Sequence, residues 1–442
     1  MRRVGLLLFL SLLCFTSPSS AARASEAQSF DVLHYDARVE PDIANKTVRG
    51  SVLIKLVSRA GGLASVEFDC GDLTIDAVRE NREALKFSVA ERRVKIFLSR
   101  PARADESREI EVEYHGSPRR GIRFLPEREQ VYTVFSTSMW LVCVDAPEDR
   151  ATLRLSLVVP SNLNVVANGR LASRRDLSGG KTVYDWRQEN PVPTYTFGFA
   201  AGRFRTVTEK RGRVELRYLA EKFSDEELRR VFRDTADMIA FYEERAGVPY
   251  ADRTYTQVLA AGDVAQEMSG FTVMGEGYGR GVLKDERDVW LAAHELAHQW
   301  WGNMVTCRGW NHFWLNEGMA TFMAAAYKER RFGRAEYLRE IESNRQHYEK
   351  VRDAGKDRSL VFPDWSHPTA ADRTLVYDKG AYVLHLLREE MGERAFWAGI
   401  RRYTRLYFGK SVTTQEFQAA MEQASGKDLK DFFSKWVYLT RR

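Results

Sequence analysis

Cysteine is scarce in this sequence, with only four residues among 442. Cys14 lies in an N-terminal apolar segment, and Cys70, Cys143 and Cys307 follow at wide spacing. Three widely spaced cysteines exclude a disulfide framework, so at most one bridge can form once that segment is removed. Cys307 is interpreted as a core residue.

Long apolar runs and strong net charge are also absent. Beyond the first 15 residues, no segment is long and apolar enough to cross a membrane as a helix. The formal net charge is +6 and the basic residues are dispersed, so no nucleic-acid partner is predicted. No internal repeat or low-complexity linker occurs, which excludes a repeat architecture.

The N-terminus has the pattern of a secretory signal peptide. Two arginines precede an apolar run over residues 4–15, and an A-x-A cleavage site ends at Ala24. The run is too short to span a bilayer comfortably, which favours cleavage over anchoring. Removing residues 1–24 deletes three arginines and no acid, so the formal charge falls from +6 to +3. The mature chain is predicted to be secreted or periplasmic, without stable membrane insertion.

Alternating apolar residues predict strands from about residue 30 to residue 204. Val52, Ile54 and Leu56 alternate with polar neighbours, and turn-forming residues separate such runs. No stretch here has strong helical periodicity. The pattern predicts an all-β domain over residues 25–206, an antiparallel sandwich or saddle.

Helical patterns dominate residues 207–442, which are predicted to form a second domain. Ser224 and Glu227 form a capping box, the apolar face of that helix continues to Tyr242, and Gly247 ends it. The predicted fold class is therefore α+β and multidomain, a β domain followed by a mainly α-helical one. Later helices are predicted at three places: residues 378–388, the segment after the Thr413/Glu416 capping box, and residues 429–438.

The most distinctive stretch, residues 288–322, contains two histidines one helical turn apart. His294, Glu295 and His298 form H-E-x-x-H, which places both imidazoles on one helix face, within reach of one metal ion. A catalytic zinc takes three protein ligands and keeps a fourth position for water. Glu295 is rotated by about 100° round the helix axis from His294, which suits a base beside that water. Glu317, opening a second predicted helix, is the candidate third ligand.

The same five-residue pattern also fits an ordinary helix with a solvated face. The tryptophans and small residues around it, and the acidic helix start that follows, favour the metal site instead.

The longer stretch resembles the aminopeptidase N-type gluzincins, zinc exopeptidases with a thermolysin-like catalytic domain. The match comprises H-E-L-A-H-Q-W-W-G-N over residues 294–303, eighteen residues between His298 and Glu317, and W-L-N-E-G over residues 314–318. The resemblance implies one zinc ion per chain, held by His294, His298 and Glu317. It covers nearly the whole mature chain and ends where larger members continue into a helical C-terminal domain, so a comparatively open cleft is expected.

The resemblance also implies roles for two residues in amide hydrolysis. Glu295 would take a proton from the attacking water and return one to the leaving amine. Tyr377 stands in Y-D-K-G-A, which is similar to the family's Y-x-K-G-A motif, and its phenol would donate to the developing oxyanion. Without the resemblance, Tyr377 is better interpreted as a core tyrosine on an amphipathic helix.

Recognition of a free α-ammonium group requires acidic side chains near the metal. The family uses a G-x-M-E-N strand, and the aligned stretch here is V-A-Q-E-M over residues 264–268. Only the glutamate is kept, as Glu267, the candidate substrate-binding residue. The alternative for Glu267 is a surface acid. The family's N-domain glutamine has no clear match in residues 133–137.

Four functions stay open at this point. The favoured one is a zinc aminopeptidase that acts on peptides with an altered substrate preference. The others are a zinc peptidase accepting internal or blocked peptides, a zinc-bearing peptide-binding protein with weak or no turnover, and a structural zinc site. Glu295 is not needed to hold zinc, so its presence argues against the last two. The oligomeric state is left open.

Overall fold

The computed structural model describes residues 29–362, 365 and 368–439, and the predicted signal peptide lies outside them. Strands come first along the chain and helices dominate later. The strands of the N-terminal region are β1 (Phe30–Asp42), β2 (Thr47–Ser58), β3 (Leu63–Asp69), β4 (Thr74–Glu80), β5 (Glu83–Ala84), β6 (Phe87–Ala90), β7 (Arg93–Ala102), β8 (Ser107–Gly116), β9 (Ile122–Leu125), β10 (Gln130–Thr133), β11 (Arg150–Pro160), β12 (Asn164–Ala167), β13 (Arg170–Leu177), β14 (Lys181–Pro193) and β15 (Phe199–Gly202).

The rest of the chain forms a short sheet and a set of helices. Its strands are β16 (Arg205–Arg211), β17 (Val214–Ala220), β18 (Thr254–Ala260), β19 (Ala265–Gln266), β20 (Phe271–Gly275), β21 (Val305–Cys307) and β22 (Lys410–Val412). Its α-helices are α1 (Asp225–Val231), α2 (Thr235–Ala246), α3 (Glu276–Lys284), α4 (Trp290–Ala297), α5 (Trp314–Phe332), α6 (Arg334–Asp353), α7 (Ala370–Thr374), α8 (Gly380–Met391), α9 (Glu393–Tyr407), α10 (Thr414–Ser425) and α11 (Lys430–Phe433).

The N-terminal region is built on an eight-stranded sheet in the order β13-β14-β11-β1-β2-β8-β4-β5, with smaller sheets of four and three strands. Val52, Ile54 and Leu56 of β2 are fully buried, as their alternation predicts. One pairing departs from the predicted antiparallel arrangement. Strands β1 and β11 run parallel, with His34 opposite Thr152. The long connection between these strands allows the chain to return in the same direction.

A five-stranded sheet, in the order β16-β17-β18-β20-β19, lies between two hydrophobic cores. Alternate residues of β18 face opposite sides: Tyr255 and Leu259 pack in the core of the helices, and Val258 and Ala260 pack in the core of the β region. The short edge strand β19 therefore lies at the junction of the two regions. The domain boundary between residues 206 and 207 stays a prediction.

The helix predicted from Ser224 to Tyr242 is interrupted in the structure. The capping box of Ser224 and Glu227 is present, and Gly247, with φ of 69°, ends α2 as predicted. Between α1 and α2, however, the chain leaves the helical path at Phe232, whose ring stacks on Tyr218 with centroids 5.1 Å apart. Tertiary packing thus overrides a continuous apolar face.

Two further helix predictions need correction at their ends. The helix predicted over residues 378–388 is α8, which is preceded by a π-helical turn at Leu375–Lys379. The helix predicted over residues 429–438 is α11 followed by a second π-helical turn, Ser434–Tyr438. The capping box of Thr413 and Glu416 opens α10 as predicted.

The described part of the chain has no helix that combines the length and low charge required to cross a membrane. Cys70, Cys143 and Cys307 are all free and buried. Cys307 lies in β21 and is fully buried, in agreement with its interpretation as a core residue.

Candidate metal and catalytic site

Three buried ligand atoms converge where α4 meets α5. The Nε2 atoms of His294 and His298 lie 3.0 Å apart, and Oε2 of Glu317 lies 3.2 Å from the first and 3.3 Å from the second. His294 is in the last turn of α4, His298 directly follows α4, and Glu317 is in the first turn of α5. The i, i+4 spacing of the histidines therefore brings both imidazoles to one point, as predicted.

The Nδ1 atoms of His294 and His298, which face away from this centre, also have polar partners. Nδ1 of His298 lies 3.1 Å from the carbonyl oxygen of Trp301, which can only accept, so Nδ1 carries a proton and Nε2 is left for a metal. A Cβ atom on Gly302, where φ is 145°, would lie 2.7 Å from this Nδ1. Glycine thus allows the loop to pass close beneath His298. Nδ1 of His294 lies 3.4 Å from Oγ1 of Thr321.

The arrangement of donor atoms fits a zinc ion. In tetrahedral geometry, bonds of roughly 2.0–2.1 Å place ligand atoms roughly 3.3–3.4 Å apart, close to the three separations seen here. Two imidazoles and one carboxylate are also the ligand set of a catalytic zinc with an open fourth position. Among the described residues, His294, His298 and Glu317 are the group suited to hold a metal ion.

The electrostatics of the site favour a bound cation. Burial opposes ionisation of Glu317, but the charge of His298 and hydrogen bonds from both imidazoles outweigh it and lower its pKa to about 2. Burial alone would also lower the pKa of His298, yet nearby carboxylates, chiefly Glu317, raise it to about 10. Burial lowers the pKa of His294 to about 4. The centre therefore attracts positive charge, and loading of a metal there must release the proton of His298.

Glu295 lies beside the ligands without being one of them. Its side chain is buried, and its Oε2 atom has no hydrogen-bond partner among the described residues. Burial, and then the charge of Glu267, raises the pKa of Glu295 well above its usual value. An unpaired buried carboxylate oxygen calls for a partner from outside the chain, such as water or substrate.

Tyr377 lies over the same centre from the other side. Its ring stacks on the imidazole of His294 with centroids 5.8 Å apart, and the charge of Glu317 acts on its hydroxyl. Burial and the charge of Glu317 raise the pKa of Tyr377, so the phenol stays protonated and able to donate. Tyr377 belongs to the π-helical turn before α8, a feature often found at functional sites.

Glu267 directly follows the edge strand β19 and is 3% exposed, so it is not a surface acid. Its Oε2 atom accepts a hydrogen bond of 2.6 Å from Nε2 of Gln266, and its Oε1 atom is buried without a partner among the described residues. Burial, with a contribution from the charge of Glu317 and against that of His298, raises the pKa of Glu267 to about 7. The charges of Glu267, Glu295 and Glu317 therefore act on one another.

The structure thus gathers all six residues singled out in the sequence around one centre. It also adds Gln266, which no sequence motif indicated. Gln266 is 1% exposed and bridges Glu267 to the backbone of Phe135 in the β region. The sequence feature that could have indicated Gln266 is a glutamine among apolar residues, next to a candidate substrate-binding acid.

Together, the metal ligand set and the unpaired acids beside it define the site of a zinc hydrolase. Comparison with known families agrees with this class. Residues 231–436 match the peptidase family M1 domain, and residues 32–196 match the peptidase M1 N-terminal domain. The two matches together cover more than four fifths of the chain. The chain therefore belongs to peptidase family M1, a family of zinc metallopeptidases, and the resemblance to aminopeptidase N-type enzymes is confirmed.

Curated relatives of the chain are named aminopeptidases. Probable aminopeptidase 2 of Sulfurisphaera tokodaii is 26% identical over an alignment of 330 positions, which covers 67% of this chain and 39% of that protein. Aminopeptidase N of Lactococcus lactis is 27% identical over an alignment of 464 positions, which covers 95% of this chain and 52% of that protein. The chain thus spans about half or less of the length of these relatives.

Solved structures confirm the fold. The M1 zinc metallopeptidase from Deinococcus radiodurans aligns with a TM-score of 0.79 at 24% identity, covering 93% of this chain and 94% of that one. A mutant of that enzyme, with the same coverage and TM-score, is described as bound to a Tyr-Ser-Ala substrate. At this identity the similarity establishes the fold alone, and the predicted α+β class, a β-rich domain before a helical catalytic domain, is confirmed.

Proposed function

We propose that this protein is a zinc aminopeptidase that hydrolyses the N-terminal peptide bond of peptides. One observation carries the proposal: two buried carboxylate oxygens, of Glu295 and Glu267, have no partner in the described part of the chain and accompany a three-ligand metal centre. A purely structural zinc site needs neither of them, since structural sites are closed by four protein ligands.

Zinc bound by His294, His298 and Glu317 would polarise the scissile carbonyl and lower the pKa of a water molecule to about 7. Glu295 accepts a proton from that water and returns one to the nitrogen of the leaving amine. Its free Oε2 atom supports this role, because no group of the described chain competes for it.

Tyr377 donates its hydroxyl hydrogen to the carbonyl oxygen of the scissile bond as negative charge develops there. Its ring stacks on the ligand His294 and its hydroxyl feels the charge of the ligand Glu317, which supports a place for the phenol beside the metal centre, where that oxygen would lie. A donor fixed in advance stabilises the transition state without reorganisation during the reaction.

Glu267 accepts a hydrogen bond from the α-ammonium group of the substrate through its free Oε1 atom. A charge-assisted hydrogen bond in a water-poor site is stronger than one between neutral groups. Since Glu267 lies close enough to the ligands His298 and Glu317 for their charges to act on its carboxyl group, a substrate with a free amino terminus would be held with its first peptide bond at the metal.

The test compares aminoacyl p-nitroanilides that have a free amine with the same compounds after N-acetylation. The zinc-loaded protein should cleave the free amines preferentially, lose activity with a chelator, and recover when zinc is restored. Glu267→Ala should weaken cleavage of the free amine alone and so reduce the preference. Equal cleavage of free and acetylated substrates by the parent protein would instead identify an endopeptidase-like enzyme.

We also propose that the chain is exported, on the basis of the signal pattern in residues 1–24. N-terminal sequencing of the protein from the exported fraction of its cells should begin at Ser25. A cell-retained protein that begins at Met1 would contradict export.

A further inference from the structure

The carboxamide of Gln266 joins the β region to the candidate substrate-binding acid. Its Oε1 atom accepts a hydrogen bond of 2.9 Å from the backbone N–H of Phe135, and its Nε2 atom donates to Oε2 of Glu267 at 2.6 Å. The side chain is almost completely buried, so both contacts are shielded from water.

The orientation of this amide is determined by its partners. A backbone N–H can only donate, so the oxygen of Gln266 must face Phe135 and the NH₂ group must face Glu267. The backbone of Gln266 is held separately, by pairing of β19 with β20 opposite Val273 and by a hydrogen bond of 2.8 Å from Oγ1 of Thr272 to its carbonyl.

The segment that supplies the N–H group has an unusual backbone. Phe135 and Ser136 have φ values of 44° and 43°, in the left-handed region that non-glycine residues rarely adopt. Such conformations persist where the surrounding structure enforces them, and they cluster at ligand sites. Here the left-handed pair holds the N–H of Phe135 at the carboxamide of Gln266.

We propose that Gln266 is a positioning residue that makes Glu267 selective for a free amino terminus; this inference rests on the proposed aminopeptidase function. The amide occupies one oxygen of Glu267 and fixes the plane of its carboxylate. The other oxygen, Oε1, has no partner among the described residues and is left for the substrate. A loop of the β region thereby controls substrate recognition in the catalytic region.

The decisive variant is Gln266→Met, which keeps the length of the side chain and removes both hydrogen bonds. Glu267 is then free to rotate, so KM for the best free-amine p-nitroanilide of a panel should rise roughly tenfold or more, the effect of losing a hydrogen bond to a charged group. The kcat, the zinc content and the KM for the N-acetylated substrate should change little. Gln266→Asn, whose shorter side chain cannot bridge both partners, should shift KM in the same direction and serves if Gln266→Met does not fold.

Thr272→Val is the matched control. It removes a buried hydrogen bond to the backbone of Gln266 and leaves the carboxamide untouched. If Thr272→Val lowers the preference for free amines as much as Gln266→Met does, or if both kinds of substrate suffer equally in Gln266→Met, the role of Gln266 is structural and the inference is wrong.

A binding measurement separates this inference from the proposed function. L-leucinamide and N-acetyl-L-leucinamide are titrated calorimetrically into zinc-loaded Glu295→Gln protein, with and without Gln266→Met. Preference for the free amine that disappears with Gln266→Met supports the inference. Preference that survives Gln266→Met overturns the inference and leaves the proposed function intact. No preference in either protein overturns both.

Discussion

The backbones of Gly318 and Gly380 are in direct contact: a Cβ atom on either residue would lie 2.9 Å from the Cα atom of the other. Gly318 follows the candidate ligand Glu317 on α5, and Gly380 begins α8 immediately after the turn that carries Tyr377. The close approach of these helices therefore sets the distance between ligand and phenol.

Gly380→Ala should separate the two helices and move Tyr377 away from Glu317. Overpacking of this kind lowers the free energy of unfolding by about 1–3 kcal/mol. The kcat should also fall, because Tyr377 is displaced from the metal centre. Gly277→Ala is the control, because Gly277 is a helical residue of α3 with open space around its Cα atom. It should be neutral or slightly stabilising. Stability is measured by urea unfolding and activity by steady-state kinetics. Equal values for the two variants would show that the contact between Gly318 and Gly380 does not position Tyr377.

Glu317→Ala should lose zinc and activity together. The carboxylate supplies one of three ligand atoms, and its removal leaves two imidazoles in a centre that was built for three donors. Glu329→Ala, on the same helix but engaged with Arg388, should keep its zinc. Metal content by atomic absorption after dialysis decides the question, and a fully loaded Glu317→Ala protein would remove Glu317 from the ligand set.

Glu295→Gln should keep zinc and lose nearly all turnover. The amide has the shape of the acid but cannot accept the proton of the attacking water, so kcat should fall by at least about 10²- to 10⁴-fold. Metal content and circular dichroism should match those of the parent protein. Turnover at the parent rate would exclude Glu295 as the base.

Tyr377→Phe should lower kcat and leave KM nearly unchanged. The hydroxyl contacts an oxygen whose charge develops only beyond the ground state, and removal of such a donor costs roughly 3–4 kcal/mol in the transition state. Tyr382→Phe, on α8 with its ring against Trp436, is the matched control and should behave as the parent. A rise in KM alone would make Tyr377 a substrate-binding residue.

His312 should make stability fall in acid. Burial, aided by the charge of Arg308, lowers its pKa from 6.5 to about 4, so below pH 6.5 the unfolded chain binds a proton that the folded chain does not. The folded state should lose about 2 kcal/mol from this group between pH 7.5 and pH 5.

His312→Asn should remove that part of the pH dependence. The amide oxygen can accept from Thr414 in place of Nδ1, which lies 2.9 Å from Oγ1 of Thr414. Zinc release in acid affects both proteins alike, so the difference between their urea unfolding free energies at pH 7.5 and pH 5 isolates His312. Parallel pH curves would show that His312 makes no such contribution.

The ligand set could be predicted from the sequence because its geometry is local. Two histidines four residues apart share a helix face in any α-helix, and an acidic start to the next helix supplied the third candidate. The capping boxes of Ser224 and Thr413 are equally local and were present as predicted. Local patterns of this kind carry their structural meaning in a few consecutive residues.

Other features depend on contacts between distant segments. The break at Phe232 exists because its ring stacks on Tyr218, and the π-helical turn at Tyr377 lies beside the contact with Gly318. The bridge from Phe135 to Gln266 joins residues 131 positions apart. The periodicity of one segment cannot indicate contacts with a distant segment. The sequence therefore indicated the acid, Glu267, but not Gln266, the side chain that hydrogen-bonds to it.

The parallel pairing of β1 with β11 has a consequence for synthesis. His34 and its neighbour Thr152 are separated by 118 residues, so β1 has β2 on one side but an open edge on the other while the intervening chain is made. At 5–20 residues per second, that interval lasts roughly 6–24 s. An open strand edge is a template for pairing with other chains. The growing polypeptide is therefore most prone to self-association before Pro160 has left the ribosome, when the eight-stranded sheet still lacks β11 beside β1.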